Sequence, residues 1–286
     1  LISEGIKLKK KLSNIPLDII IAENIRNGAD YFRKLFIENG LSGDEAGLIE
    51  TSIGKMVPIM NNIDLAKDPL ILFAEEYNTL ILDRKGFKNT VLNFPEIKAV
   101  ENIAAWVDRK LFIHNLGHAA SAYLGYVKYP KKKLVAEVLE DNQIKFQVRG
   151  VMLQAAEALL KEYPNDFTLD ALEEHIDDLL FRFQNMALGD TVFRVGRDLP
   201  RKLGRDDRIL GAAGLCLKHK LPFARIVNVF HAAIKFTATD QNGNIFSADQ
   251  TFLKGIKAIG IPKFLIDLCG LDPNEDEDLI KTIVSH

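Results

Sequence analysis

Near Pro95 the chain changes its hydrophobic period, and this constrains the fold more than any other feature. Before it, short β-branched apolar runs alternate with amphipathic stretches. After it, apolar residues recur at helical spacing almost without interruption and strand signals nearly vanish. Two such patterns on opposite sides of one point predict two domains. Residues 1–95 read as an α/β domain and residues 96–286 as a mainly helical one, with the boundary near 93–100.

Within the first part, Ile2, Ile6 and Leu12 amid lysines predict a helix, broken by Ser13-Asn14-Ile15-Pro16. Residues 17–22 form a β-branched run that reads as a buried parallel strand. Tyr31, Phe32, Leu35 and Phe36 predict a helix over 27–40, stopped by Asn39-Gly40. Residues 51–58, 69–76 and 79–83 read as further strands, and 83–86 as a turn. In the second part helices are expected over 101–126, 132–139, 146–163, 169–183, 206–218 and 223–236, with two shorter ones near the end.

Composition narrows the function classes. The formal net charge of −2 gives no global basic field for nucleic acid or an anionic membrane. Lys131-Lys132-Lys133 reads as solvated surface. Cys216 and Cys269 form neither a metal-ligand spacing nor a disulfide framework, which suits a reduced, cytoplasmic setting. No apolar run is long enough to span a bilayer. Residue 1 is Leu and the chain opens inside a helical pattern, so the expectation is a chain whose N-terminus lies further upstream.

The chemistry-bearing stretch is 108–118, Asp-Arg-Lys-Leu-Phe-Ile-His-Asn-Leu-Gly-His. At about 100° per residue, Lys110 and His118 lie roughly 80° apart, and Asn115 roughly 60° from His118. All three can reach one cleft. Oxidising a secondary alcohol needs a base for the hydroxyl proton and donors for an oxygen that becomes anionic in the transition state. Lys110 can be the base if burial lowers its pKa from the free value of about 10.4. Asn115 can donate to the reacting oxygen, and His118 can bind a neighbouring hydroxyl or orient Lys110. No metal is needed. Gly117 would admit a backbone or ligand, and His114 reads as packing or surface.

Arg109-Lys110-Leu111-Phe112, Asn115, Gly117-His118 and Ala122-Tyr123-Leu124-Gly125 together resemble the signature of the polyol-specific long-chain (mannitol) dehydrogenase family. The resemblance runs over about residues 1–272. It implies the C-terminal part of a Rossmann-like cofactor domain followed by a helical catalytic domain. It also implies NAD as cofactor and a small sugar-alcohol substrate. The family's Lys-x4-Asn-x2-His pattern falls on Lys110 as the catalytic base and on Asn115 and His118 as substrate contacts. Ala22-Glu23-Asn24-Ile25 resembles the family's acidic-Asn pair at a strand end, which makes Asn24 a second amide for the reacting oxygen. The carboxyl end of a parallel strand is where open α/β sheets place ligands.

Residues 193–203 resemble the mannitol 1-phosphate branch in particular. Arg194, Arg197, Arg201 and Lys202 concentrate charge suited to a phosphate monoester, with Gly196 and Pro200 shaping a loop. The implied reaction interconverts D-mannitol 1-phosphate and D-fructose 6-phosphate. The pattern departs at Ile53-Gly54-Lys55, where the family has an acid and an arginine, which gives Lys55 a possible phosphate contact. The Gly-rich turn for the pyrophosphate is absent from this sequence and is expected upstream of Leu1. Open alternatives are a non-phosphorylated mannitol dehydrogenase, a hexuronate reductase of the same family, and a non-catalytic helical interaction module.

Overall fold

A computed structural model describes residues 1–23, 25–58, 60 and 62–286. In chain order the elements are α1 (Ile2–Leu12), β1 (Leu17–Ile21), α2 (Gly28–Glu38), β2 (Ala46–Ile53), α3 (Asn62–Lys67), β3 (Leu80–Asp83), β4 (Ile97–Val100) and α4 (Ile103–Arg109). A π-helical segment, Lys110–Asn115, follows. Then come α5 (Leu116–Lys128), α6 (Val135–Leu139), α7 (Asn142–Glu162), α8 (Leu169–Phe183), α9 (Val192–Gly196), α10 (Leu199–Lys202), α11 (Leu210–Lys218), α12 (Ala224–Ala233), α13 (Ser247–Asp267) and α14 (Glu277–Ser285). Among the described residues no helix is long and apolar enough to cross a membrane.

The chain divides into two compact units. The first holds residues 1–56 and 74–110; the second holds 57–73 and 111–286. The division therefore falls after Lys110 rather than near 93–100. The reason is that Ile97–Val100 pairs with β3, and α4 packs on β2 and β3, so this stretch stays with the sheet. A four-residue strand just after Pro95 is too short to show a period.

The first unit is a mixed sheet of order β1-β2-β3-β4. β1 and β2 run parallel, with Leu17 opposite Ala46 and Ile21 opposite Glu50; β2 and β3 are antiparallel, and β3 and β4 parallel. β2 is buried along most of its length, as an inner strand must be. β1 lies at the sheet edge, so Leu17 and Ile20 stay part-exposed despite the apolar run. Asp18, the polar residue in that run, accepts N–H bonds from Lys88 and Asn89 and pins their loop to the strand. Ile6 from α1 and Ala29 and Phe36 from α2 pack with Ile21, Ala46 and Leu48 into one core. The strand expected over 51–58 starts at Ala46 and ends before Gly54. That expected over 69–76 does not form, and the carboxylate of Asp68 accepts the Leu70 N–H in a turn instead.

The second unit is helical around α5 and α7. Ala119, Ala120, Ala122 and Tyr123 meet Val148, Met152, Ala155 and Leu159 in a fully enclosed core. Small residues set the spacing. A Cβ on Gly117 would fall 2.5 Å from Met152 Sδ, and one on Gly125 would fall 2.3 Å from Val138 Cγ1. Gly117 thus admits a methionine of α7, not a ligand. Asp141 caps α7 by accepting the N–H groups of Gln143 and Ile144. α13 breaks at Gly260, whose φ of 74° lies in the left-handed region, just before Pro262.

Candidate active site

From α4 the polypeptide runs through the π-helical segment into α5 without a break. α-helical winding would carry Asn115 roughly 140° round the axis from Lys110. Pairing of i with i+5 closes the turn at the fifth residue and brings the two toward one side. Phe112, Ile113 and His114 are buried in succession, which a regular α-helix at a core edge would not require. Single-turn π segments recur at functional sites.

In the first unit, Asp108 is buried and pairs with Arg26 at 2.8 Å. Trp106 lies between two cations: the Lys98 ammonium is 4.0 Å and the Arg109 guanidinium 4.3 Å from its ring centre. Burial lowers Arg109 to about 10. Lys110 is half-buried. Lys55 donates to the Tyr77 carbonyl at 2.7 Å and to Asn78 Oδ1 at 3.2 Å. Asn24 lies outside the described residues.

In the second unit, His118 stacks on Phe183, with ring centres 4.7 Å apart and planes 11° apart. Its Nε2 lies 3.1 Å from Asp190 Oδ2. Burial lowers the His118 pKa, aided by Arg194, Lys202 and Arg208, to about 3. Asp190 does not reverse this, because Arg194 already pairs with it. The imidazole is therefore neutral at pH 7. His114 packs edge-on to Phe183. Asp190 was invisible in the sequence: an acid one residue before the α9 cap reads as a turn residue.

The 193–203 stretch is two short helices rather than a loop. Thr191 caps α9 by accepting the Arg194 N–H. Buried groups from three places hold the stretch. The Tyr123 hydroxyl donates to the Gly196 carbonyl at 2.8 Å. Asp249 accepts the N–H groups of Asp198 and Leu199 at 3.1 and 2.7 Å. Lys202 is itself buried and donates to the carbonyls of Val195, at 2.7 Å, and Arg197. Burial, then Arg208 and Arg201, lowers its pKa to about 7. Lys202 is thus a clamp on this backbone and is withdrawn from the expected phosphate set. Arg201 pairs with Asp198 at 2.6 Å.

Arg194 and Arg197 line a cavity of about 1090 Å³ that lies wholly within the second unit. Arg194 also donates to the Val57 carbonyl at 3.4 Å. Arg197 lies 5.7 and 5.5 Å from the Phe193 and Phe246 ring centres. The sequence reading missed that Lys131, Lys132 and Lys133 line this same cavity.

A mixed α/β unit, a helical unit and a Lys-x4-Asn-x2-His stretch wound through a π segment define a polyol-dehydrogenase architecture. Residues 102–261 match the mannitol dehydrogenase C-terminal domain, and the chain belongs to that family. It is 29% identical over 291 residues to a mannitol-1-phosphate 5-dehydrogenase of Bacillus licheniformis, covering 100% of this chain and 73% of the relative. A mannitol-1-phosphate 5-dehydrogenase of Buchnera aphidicola is also 29% identical, over 300 residues, with 99% and 74% covered. Two solved structures share the fold. D-sorbitol dehydrogenase in substrate-free form has a TM-score of 0.75 at 16% identity, covering 99% of this chain and 62% of its own. The Pseudomonas fluorescens mannitol 2-dehydrogenase ternary complex with NAD and D-mannitol has a TM-score of 0.70 at 16% identity, covering 97% and 60%. The chain thus spans less than two thirds of either solved structure.

Proposed function

We propose that this chain carries the alcohol-side machinery of an NAD-dependent dehydrogenase interconverting D-mannitol 1-phosphate and D-fructose 6-phosphate. The observation that carries the reading is the Lys110–His118 stretch, wound as a π segment inside the region that matches the family. Lys110 is the general base. Its amine takes the hydroxyl proton as hydride leaves the carbinol carbon, so charge does not build up on the oxygen. The Asn115 amide donates to that oxygen, and Asn24 is assigned the second amide contact. Neutral His118 keeps one ring N–H and one lone pair, so it can hold an adjacent hydroxyl in either sense. Proton transfer by this route needs no metal.

NAD, when bound, supplies the hydride acceptor. The residues present do not make its pyrophosphate cradle, because the sequence contains no Gly-x-Gly-x-x-Gly turn. No residue here is therefore assigned to the dinucleotide. Arg194 and Arg197, on the cavity of the second unit, are assigned to the phosphate end of the substrate.

In the full-length protein, Lys110→Ala is expected to lower turnover by about 10²–10⁴-fold with an unchanged circular dichroism spectrum. Near-normal turnover would refute the role of Lys110. Steady-state kinetics with mannitol and with mannitol 1-phosphate test the substrate. A higher kcat/KM for the phosphate ester is expected, and equal values would exclude it.

A further inference from the structure

Lys131, Lys132 and Lys133 share the cavity of the second unit with Arg194 and Arg197. Lys132 is already engaged: its ammonium donates to the Glu137 carbonyl and lies 3.6 Å from Glu140. Lys131 and Lys133 are exposed, and among the described residues neither has a carboxylate within 4.0 Å. The same holds for Arg197.

A lysine run on a mobile loop would be ordinary solvated surface, but this one is fastened. The Lys133 carbonyl accepts the Val192 N–H at 2.8 Å, and the Asp190 carbonyl accepts the Val135 N–H at 2.9 Å. Leu134 and Thr191 form an isolated antiparallel bridge between these two bonds. On the other side, the Glu137 carboxylate accepts the N–H groups of Lys133 and Leu134, each at 2.9 Å. The lysine backbone is thereby set in register with the segment that opens α9, which carries Arg194 and ends at Arg197. Two basic segments distant in sequence are held to one cavity by backbone bonds.

The charge there is lopsided: five cations against Asp64 and Asp240. Asp240 accepts N–H bonds from Asn242 and Asn244 at 2.8 and 2.9 Å, and Asp64 lies 3.9 Å from Lys67. The cavity is basic in a chain whose net charge is −2. A guanidinium with no carboxylate partner offers a planar fork, and two ammonium groups add point charges on flexible stems. This is the chemistry of a phosphate dianion site.

We infer that Lys131 and Lys133 form with Arg197 a cradle for a phosphate dianion, and that the fastened lysine run is what favours a phosphorylated polyol over a plain one. The inference rests on the phosphorylated-substrate reading above and adds to it residues that neither motif nor family match assigns.

Isothermal titration of inorganic phosphate, mannitol 1-phosphate and mannitol tests it. The titrations use the wild-type protein, Lys131→Ala/Lys133→Ala, and Arg197→Ala. Both phosphates are expected to bind the wild type. The double-lysine variant is expected to weaken each by roughly tenfold or more, about one charge-assisted contact, and to leave mannitol unaffected. Both lysines are exposed, so the variant is expected to keep the wild-type circular dichroism spectrum. Unchanged phosphate affinity in the double-lysine variant overturns the cradle, as does absence of phosphate binding to the wild type. If inorganic phosphate binds in a lysine-dependent way and mannitol 1-phosphate does not, the cradle stands and the substrate reading fails. If mannitol 1-phosphate binds equally to both proteins, the substrate reading stands and the cradle fails.

Discussion

Stacked on Phe183 and flanked by cations, His118 keeps a neutral ring in the folded protein, with a pKa held down to about 3. The unfolded chain protonates it near the model value of 6.5. A depressed folded pKa means stability that is present above the unfolded value and lost as pH falls toward the folded one. Between pH 6.5 and 5 this single group is expected to remove about 2 kcal/mol, at about 1.4 kcal/mol per pH unit. Denaturant unfolding at the two pH values checks it, and His118→Gln is expected to flatten the dependence. Lys110, Asn115 and His118 were legible because alcohol oxidation demands a base and donors, and the motif puts them within nine residues. Asp190 was not legible. Its role comes from sitting 3.1 Å from His118 while pairing with Arg194, and nothing in its own neighbourhood of the chain announces either contact.

The α9–α10 segment shows at the next scale why a motif can be seen while its shape is missed. Helices of five and four residues are too short to express a 3.6-residue period, so Gly196 and Pro200 suggested a loop. In the fold, Gly196 lets α9 close on Phe236, whose ring would lie 2.2 Å from any Cβ at that position. Pro200 starts α10, where a missing N–H costs little. The clamp is Lys202. Replacing it with Met strips a donor from the carbonyls of Val195 and Arg197, and an unsatisfied buried acceptor costs about 1–3 kcal/mol. Lys202→Met is expected to lower stability by at least about 2 kcal/mol in denaturant titrations. It is also expected to raise KM for a phosphorylated substrate, since Arg197 then loses its fixed backbone. An unchanged unfolding midpoint would show that the clamp carries no stability.

Over the whole chain, charge is nearly balanced, yet one cavity gathers five cations. Composition could not reveal this, because the lysines and arginines lie in separate segments that only the backbone bridge at Leu134 and Thr191 unites. Screening length falls from about 10 Å at 0.1 M salt to about 3 Å at 1 M. Across that range KM for mannitol 1-phosphate is expected to rise severalfold in the full-length protein, with KM for mannitol nearly constant. A flat response for both would argue against a charged recognition surface. The two-unit division was readable from the change of period, although its position was not, since β4 and α4 join the sheet through contacts the local sequence does not encode. The point where one unit hands over to the next is the π segment, an over-wide turn in an otherwise tight spiral. Such a turn acts as a phase setter. Losing a single residue there would let the coil relax to ordinary winding and swing every downstream side chain round the axis by about 100°, so the segment could tolerate exchanges of side chain far better than a change of length.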